Sequence, residues 1–234
     1  MKTGIFLSYK GLGANLLHLS YCHEIAKKFG PVSLITLCPN LDRVLKDDPA
    51  FSEIIYLDKF HKKFFDLFKL SKFLKKLDFE NIFIFYPSLR HYLSSKIAGI
   101  KNIYHYPFFK KKNLHLVEAA KNFTEKSLNI KNCPTETKII INNLEAQKYN
   151  NNDLKKIILG ISSSGPTTKW GYDNFTSLIK ELNKFDKFYF YLLCGPNDSV
   201  DADKIINQID EKNCESLANK DVSEIMYYIH MSDI

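Results

Sequence analysis

The order of apolar runs constrains the fold of this chain more than any other feature. Short apolar runs of strand length alternate with longer stretches in which apolar residues recur at helical spacing. The first cycle begins at Ile5-Phe6-Leu7, turns at Gly11-Leu12-Gly13 and continues as a predicted helix over 15–29. This alternation predicts an α/β fold, in which a doubly wound parallel sheet carries helices on both faces.

Further elements of the same kind follow along the first 150 residues. The predicted strands of this part lie at 5–7, 32–37, 54–57, 81–86 and 101–104. A second long helix is predicted over 60–77. The segment 138–142 is expected to close the first domain. The polar run 149–153 has the composition of a linker. We therefore expect a first domain over 1–150.

The cycle of strand and helix restarts after this linker. Strands are predicted at 156–161 and 188–194, and helices at 172–185 and 200–209. A last helix, capped by Asp221 or Ser223, is expected to end near His230. The final residues, 231–234, look like the opening of another strand. A second doubly wound domain needs more strands than this stretch supplies, so we expect the second domain, 151–234, to be truncated in this chain.

Composition narrows the class of protein. Apolar residues make up 45% and charged residues 25% of the chain, which is ordinary for a soluble globular protein. No apolar run reaches about 18 residues, and the N-terminus has no signal-peptide pattern, so a cytoplasmic location is expected. The five cysteines are scattered without a CxxC pair. They predict buried, reduced thiols and neither a disulfide framework nor a metal site.

The net charge of +7 leaves two interpretations open, an anionic partner or a general bias towards lysine. Six lysines lie within 60–77, and another basic run is Lys110-Lys111-Lys112. Both are candidates for peripheral contact with an anionic membrane or a phosphorylated acceptor, and a solvated surface is the alternative. Nucleic acid is not an expected partner, because no zinc-finger, RNP-like or helix-turn-helix signature is present.

Three loops that follow predicted strands carry candidate binding residues, since ligands of open α/β sheets bind outside the carboxyl ends of the strands. The first loop holds Gly11, Gly13 and Asn15. Glycines there let the backbone approach a ligand. The loop has neither the GxGxxG nor the GxxxxGK[ST] pattern, so it is not a dinucleotide fingerprint or a P-loop. A tight turn from strand to helix is the alternative interpretation.

The second loop, 160–170, is rich in hydroxyl groups. Its candidate ligand contacts are Ser163, Ser164, Thr167, Thr168 and Lys169. Hydroxyls, backbone N–H groups and one ammonium are the groups that a diphosphate requires. The alternative is a flexible loop on which the neighbouring tryptophan packs.

The third loop is the turn Gly195-Pro196-Asn197-Asp198, which ends the strongly apolar strand predicted at 188–194. Asn197 or Asp198 is a candidate to meet the ribose hydroxyls of a nucleoside, with Gly195 allowing close approach. An ordinary turn and helix cap is the alternative.

Taken in this order, the motifs resemble the lipopolysaccharide heptosyltransferase family, glycosyltransferase family 9. The first matching feature is the glycine-rich loop that runs into Leu16-Leu17-His18-Leu19. The second is the Ser/Thr-rich loop that closes on Lys169-Trp170 and is followed by Phe175. The turn 195–198 is the third, and the three together span nearly the whole chain.

The resemblance implies the GT-B architecture, two Rossmann-like domains with the acceptor on the N-terminal one and the nucleotide sugar on the C-terminal one. It implies transfer of heptose from an ADP-sugar to a lipopolysaccharide core, with inversion and without a cofactor or essential metal. Thr167, Thr168 and Lys169 would contact the donor diphosphate, and Lys169 would act in catalysis by offsetting charge on the leaving group. The implied acceptor is lipid-linked or a polysaccharide, met at the inner face of the inner membrane.

Two departures from the family pattern affect the expected chemistry. Ala14 stands where the family usually has the aspartate that is its candidate base. The family's later Asp-Ser/Thr-Gly motif is expected just beyond Ile234. His18 lies one helical turn after Ala14 and is a candidate catalytic base, because its unperturbed pKa is near 6.5; a packed histidine is the alternative.

Three functions therefore remain open at the level of the sequence. They are a glycosyltransferase, a non-catalytic binding protein of the same fold, and another GT-B enzyme such as a nucleotide-sugar epimerase.

Overall fold

A computed structural model describes residues 2–57, 66–107, 114–150, 153–163, 166–209 and 211–234. The chain divides into two compact units, Met1–Ile140 and Ile141–Ile234. Each unit carries its own parallel β-sheet, one of five strands and one of three in the described residues. The predicted α/β class with two parallel sheets is confirmed.

The first unit is built on the five-stranded sheet. Its strands β1 to β5 span Thr3–Leu7, Val32–Thr36, Phe51–Tyr56, Asn81–Ile84 and Asn102–His105. Its helices α1 to α6 span Leu12–Leu16, Leu19–Phe29, Leu41–Val44, Asp66–Leu77, Leu89–Ile97 and Leu116–Leu128. The strand order is β3-β2-β1-β4-β5, and every pairing is parallel. The order reverses between β1 and β4, and such a switch point opens a crevice at the carboxyl ends of the strands.

Two helix pairs cover this sheet, α4 beside α5 and α2 beside α6. Leu70 and Leu74 of α4 pack into an apolar cluster that includes Phe6 of β1. In the other pair, the Tyr21 hydroxyl donates a hydrogen bond to the Val117 carbonyl across 2.8 Å. The strands β1, β2 and β4 are buried along their whole length, which explains their continuous apolar runs.

The structure corrects several predicted elements of this unit. The helix predicted over 15–29 begins at Leu12 and is interrupted at Leu17 and His18, so that it forms α1 and α2. The segment 138–142, expected to close the first domain, lies in no helix or strand, and the division between the two units falls within it. Helices α5 and α6 were not predicted. The described part of the helix predicted over 60–77 is α4; residues 60–65 lie outside the described residues.

The second unit is smaller. Its strands β6 to β8 span Lys155–Gly160, Phe188–Leu193 and Cys214–Ser216, and are parallel in that order. Its helices α7 to α10 span Asn143–Ala146, Tyr172–Leu182, Ser199–Ile206 and Val222–His230. Ile179 of α8 and Ile205 of α9 pack with Phe190 of β7 in its core. Asp221 caps α10 as predicted, since its carboxylate accepts a hydrogen bond from the Ser223 N–H at 2.9 Å.

The last two residues pair with the free edge of β6. The Ile158 N–H donates to the Ile234 carbonyl at 2.8 Å, and the Ile234 N–H donates to the Lys156 carbonyl at 3.3 Å. This is the hydrogen-bond pattern of a parallel ladder, with Ile234 opposite Ile157. Asp233 and Ile234 therefore make strand-like hydrogen bonds along the edge of β6.

The other composition-based expectations concern thiols, metals and membranes. All five cysteines are buried, as predicted, and none is paired with another in the structure. The described residues contain no group of three or more His, Cys, Asp or Glu side chains that could hold a metal ion. Among the helices in those residues, none has the length and apolar character needed to cross a membrane.

Candidate functional site

The carboxyl ends of β6 and β7 place the second and third predicted loops side by side. The two strands are parallel neighbours, so their following loops leave the same edge of the sheet. Ser162 joins these loops directly. Its hydroxyl oxygen accepts a hydrogen bond from the Gly195 N–H at 3.1 Å and donates one to the Asp198 carboxylate at 2.5 Å. The hydroxyls predicted as ligand contacts lie later in this loop, and Ser162 is an addition to them.

Lys169 and Asp198 form an ion pair between the same two loops. The Lys169 ammonium donates a hydrogen bond to Asp198, and a carboxylate oxygen of Asp201 lies 3.8 Å from the same Nζ. The hydrogen bond to Asp198 raises the pKa of Lys169. In turn, hydrogen bonds from Lys169 and then Ser162 lower the pKa of Asp198. Both groups are therefore charged at neutral pH, and two carboxylates hold the cation that the sequence predicted.

The remaining predicted donor residues lie around this pair. The hydroxyls of Ser163 and Thr168 hydrogen-bond to each other. Thr167 and Asn197 are exposed. Ser164 lies outside the described residues. The edge thus presents several hydroxyl groups within a few residues of one ammonium, which is the donor set that an anionic ligand requires.

Trp170 follows Lys169 and is only partly packed. Its ring meets Phe175 edge-on with centroids 5.0 Å apart, yet 54% of the residue remains exposed. The Asn174 amide donates to the Trp170 carbonyl at 2.6 Å, which ties this end of the loop to the first turn of α8. The alternative interpretation, a tryptophan that only packs on the protein, explains the contact with Phe175 and leaves the exposed half of the residue unexplained.

In the first unit, Asn15 is a brace within the predicted acceptor-side loop. Its side-chain amide donates to the carbonyls of Tyr9 at 3.0 Å and Gly11 at 2.7 Å. Its carbonyl oxygen accepts from the Thr36 hydroxyl at 2.9 Å. Asn15 is fully buried, so these contacts fix the loop against the end of β2. The geometry favours a structural role for Asn15 over direct contact with an acceptor.

The two glycines of this loop leave open space above it. A Cβ atom added to Gly11 or Gly13 would meet no other atom within 4 Å. Gly11 has a φ of −79°, which any residue adopts. The backbone conformation does not require glycine at position 11. The effect of Gly11 is to leave the loop surface without a side chain.

His18 lies in an aromatic cage and is fully buried. Its ring stacks on Tyr9 at 4.8 Å between centroids and meets Phe85 edge-on at 5.3 Å. Nδ1–H donates to the Ala14 carbonyl at 2.6 Å, so Nε2 carries the lone pair; among the described residues Nε2 has no hydrogen-bond partner. Burial lowers the pKa of His18. A general base must reach the proton that it removes, so this position favours the packed alternative.

A serine and a histidine meet at the switch point of the first sheet. Ser8 directly follows β1, and His91 lies in the first turn of α5, which follows β4. The Ser8 hydroxyl is 3.2 Å from His91 Nδ1, and the imidazole stacks on Phe6 with centroids 4.2 Å apart. The two residues are 83 positions apart in the chain. The pairing depends on β1 and β4 being neighbours, which no local pattern reveals.

Comparison with known proteins gave matches among solved structures. No family model matches the chain, and no curated protein does. The ADP-heptose lipopolysaccharide heptosyltransferase II of E. coli aligns with a TM-score of 0.76 and 14% identity, over 99% of this chain and 77% of that one. A family 9 glycosyltransferase from Veillonella parvula DSM 2008 aligns with a TM-score of 0.75 and 15% identity, over 100% and 74%. This chain has their fold.

A third structure extends the comparison to a nucleotide-sugar complex. The E. coli heptosyltransferase WaaC, solved with ADP-2-deoxy-2-fluoro heptose, aligns with a TM-score of 0.67 and 13% identity, over 99% of this chain and 81% of that one. The resemblance inferred from the three loops is therefore confirmed at the level of the fold, across nearly the whole chain. Identities of this size establish architecture and leave the roles of individual residues to the chemistry of the site.

Proposed function

We propose that this protein is a glycosyltransferase that binds a nucleotide-sugar donor at the carboxyl edge of its second sheet. The observation that carries the proposal is the network of Ser162, Lys169 and Asp198, which joins the loops after β6 and β7. It supplies a cation, hydroxyl donors and a carboxylate acceptor at the edge where α/β sheets bind ligands. The shared fold with the heptosyltransferases supports the same reaction class.

Donor binding would exchange one anion for another at Lys169. Phosphate and carboxylate oxygens are alternative acceptors for the same ammonium hydrogens. A diphosphate on Lys169 would therefore release Asp198. The released carboxylate would stay ionised at neutral pH, because an ordinary aspartate has a pKa of about 3.9, and it could accept hydrogen bonds from ribose hydroxyls. The hydroxyls of Ser163, Thr167 and Thr168 would donate to the phosphate oxygens. Ser164, Gly195 and Asn197 complete the proposed donor site.

Lys169 would also act in the transfer step. As the bond to the sugar breaks, negative charge grows on the departing nucleoside diphosphate, and a nearby ammonium stabilises that charge. Lys169 would be protonated for this role with either partner, because an ordinary lysine has a pKa of about 10.4 and a neighbouring anion favours the charged form. We propose an ADP-sugar as the donor, because a structure of similar fold contains an ADP-sugar analogue.

The acceptor would approach the open space over Gly11 and Gly13 in the first unit, the domain proposed to run from 1 to 150. We propose a lipid-linked or polysaccharide acceptor and a cytoplasmic site of action at the inner face of the membrane. The space that neither glycine fills supports approach by a bulky hydroxylated group. Asn15 would hold the shape of this loop from beneath.

A second candidate function is nucleotide-sugar binding without transfer. Ala14 has no group that takes up a proton, and His18 is buried with its Nδ1 hydrogen bound to the Ala14 carbonyl. This observation favours a protein that holds a donor and lacks the base needed to activate an acceptor.

The test combines calorimetry with a transfer assay on the full chain. We expect ADP and an ADP-sugar to bind, with weaker binding to the Lys169→Ala variant. Absence of any nucleoside diphosphate binding would overturn the proposed function. With a radiolabelled ADP-sugar, transfer to an acceptor supports the transferase, and retention without transfer supports the binding protein. A sugar nucleotide altered without any acceptor would indicate an epimerase instead.

A further inference from the structure

The outward face of α5 carries an apolar stripe where a surface helix normally carries polar residues. Leu89, Leu93 and Ile97 follow one another at intervals of four residues, so they line one side of the helix. Their exposed fractions are 58%, 36% and 51%. The buried positions of the same helix are polar, among them Ser94 and Ser95. This helix therefore reverses the usual amphipathic arrangement.

Helix α4 lies beside α5 and extends the same surface. The Ser94 hydroxyl donates to the Leu67 carbonyl across 3.1 Å, which fixes the two helices side by side. Phe68, the next residue along α4, is 61% exposed. Large exposed apolar side chains on neighbouring helices of a folded domain mark an interaction surface.

Basic side chains accompany the apolar ones. The exposed lysines of the two helices are Lys69, Lys72, Lys75, Lys76 and Lys96. Within 66–77 and 89–97, the only carboxylate is Asp66, and it is buried. The outward face of α4 and α5 is thus positive with exposed apolar side chains, which we call the basic-apolar face.

We propose that the basic-apolar face binds the surface of an anionic phospholipid bilayer. Leucine, isoleucine and phenylalanine side chains enter the headgroup region, while lysines on the same helices meet lipid phosphates. A second copy of this chain fits less well, because a symmetric contact through this face would bring like charges together. An acidic protein would also satisfy the charge, and an absence of binding to anionic vesicles in the test below would favour it over a bilayer. The proposal stands on the surface itself and does not require transferase activity.

The experiment measures co-sedimentation of the full chain with vesicles. One set is pure phosphatidylcholine, and the other is phosphatidylcholine mixed with phosphatidylglycerol. We expect binding to the anionic vesicles only. Removing the charges in Lys69→Gln/Lys72→Gln/Lys76→Gln should weaken binding about fivefold per lysine, or about a hundredfold in all. Leu89→Ser/Ile97→Ser should also weaken it by about a hundredfold, since each half-exposed side chain contributes about tenfold.

Matched controls replace similar exposed residues elsewhere. Lys126→Gln changes a lysine on α6, and Leu144→Ser changes a leucine of α7 that is 74% exposed. Both controls should bind vesicles as the unaltered protein does. Circular dichroism shows whether each variant is folded. If the apolar variant is unfolded, the lysine variant alone decides the result, because it changes only exposed side chains.

Three results would overturn the proposal. They are equal binding to both vesicle types, unchanged binding by the lysine variant, and no binding to the anionic vesicles. ADP affinity, measured by calorimetry on the same variants, should stay unchanged. Loss of ADP binding in the unaltered protein would refute the proposed function alone, and loss of vesicle binding would refute the basic-apolar face alone.

Discussion

Replacing Asp198 by asparagine tests separately the two proposed roles of the ion pair, which are phosphate binding by Lys169 and hydrogen bonding of Asp198 to ribose. In the unaltered protein, an incoming diphosphate must displace the Asp198 carboxylate from Lys169. Asp198→Asn keeps the size of the side chain and removes its charge. Lys169 then faces one carboxylate, Asp201 at 3.8 Å, in place of two. The ammonium should become more available to phosphate, while the acceptor for ribose hydroxyls is weakened.

The expected magnitudes follow from the value of one charge-assisted hydrogen bond, which corresponds to roughly tenfold to a hundredfold in affinity. Inorganic pyrophosphate has no ribose, so Asp198→Asn should raise its affinity about tenfold. ADP gains the same contact at Lys169 and loses the ribose contact, so its affinity should change little. The preference for ADP over pyrophosphate should therefore fall about tenfold. Lys169→Ala should lower the affinity for both ligands by roughly tenfold to a hundredfold.

Isothermal titration calorimetry with ADP and pyrophosphate, in one low-salt buffer, measures all of these affinities. Lys184→Ala is the matched control, because it removes an exposed lysine that pairs with Glu181 at 2.6 Å, outside the network of Ser162, Lys169 and Asp198. The control should leave both affinities unchanged. A pyrophosphate affinity that does not rise in Asp198→Asn would refute the exchange at Lys169. Equal affinities for Lys169→Ala and the unaltered protein would refute the donor site itself.

Three further predictions concern the first unit. Asn15→Ala should lower the free energy of unfolding by about 2 to 4 kcal/mol, because the buried Asn15 side chain makes three hydrogen bonds that the variant loses. A urea titration that shows less than half of this loss would contradict the structural role of Asn15. The pKa of His18 is lowered by burial, so the unfolded chain binds more protons below about pH 6.5. This contribution to stability should be complete above that pH and fall as the pH drops; His18→Gln should remove that part of the slope, and an NMR titration of His18 at or above its ordinary pKa would contradict it. Ala14→Asp should leave ADP affinity unchanged and raise turnover in a transfer assay; a changed ADP affinity would place residue 14 in the donor site.

The sequence predicted those helices and strands in which the apolar residues are the buried ones. The strand β1 is buried at every position from Thr3 to Leu7, so it reads as one apolar run. Helix α5 escaped detection for the opposite reason. Its buried positions include Ser94 and Ser95, while Leu89 and Leu93 face outward, so periodicity gives no sign of which face packs on the sheet. A rule that assigns apolar residues to the core cannot predict a helix whose apolar side chains are exposed.

The sequence predicted where the candidate site lies in the fold, and it did not predict which side chains contact one another there. Loops after parallel strands share one edge, and this rule alone brought Lys169 near Asp198. That the two form an ion pair depends on how the loop after β6 folds, because Lys169 and Asp198 are 29 residues apart in the chain. Asn15 was expected to meet a ligand because it is a polar residue in a glycine loop. Its partner Thr36 lies 21 residues away on a neighbouring strand, and only the pairing of β1 with β2 reveals that the amide is already occupied.

The two loops differ in what their polar groups can still offer a ligand. Asn15 and Thr36 are buried, and breaking hydrogen bonds between buried groups leaves unsatisfied donors and acceptors at high cost. Lys169 and Asp198 form their pair near solvent, where an ion pair contributes little to stability and exchanges partners readily. The second unit can therefore take up an anion by exchange within its own network. Under the proposed function, recognition of an acceptor in the first unit would fall to groups that are not already buried in hydrogen bonds. These are the hydroxyl of Ser8 and the backbone of Gly11 and Gly13, while Asn15 beneath them would keep its contacts.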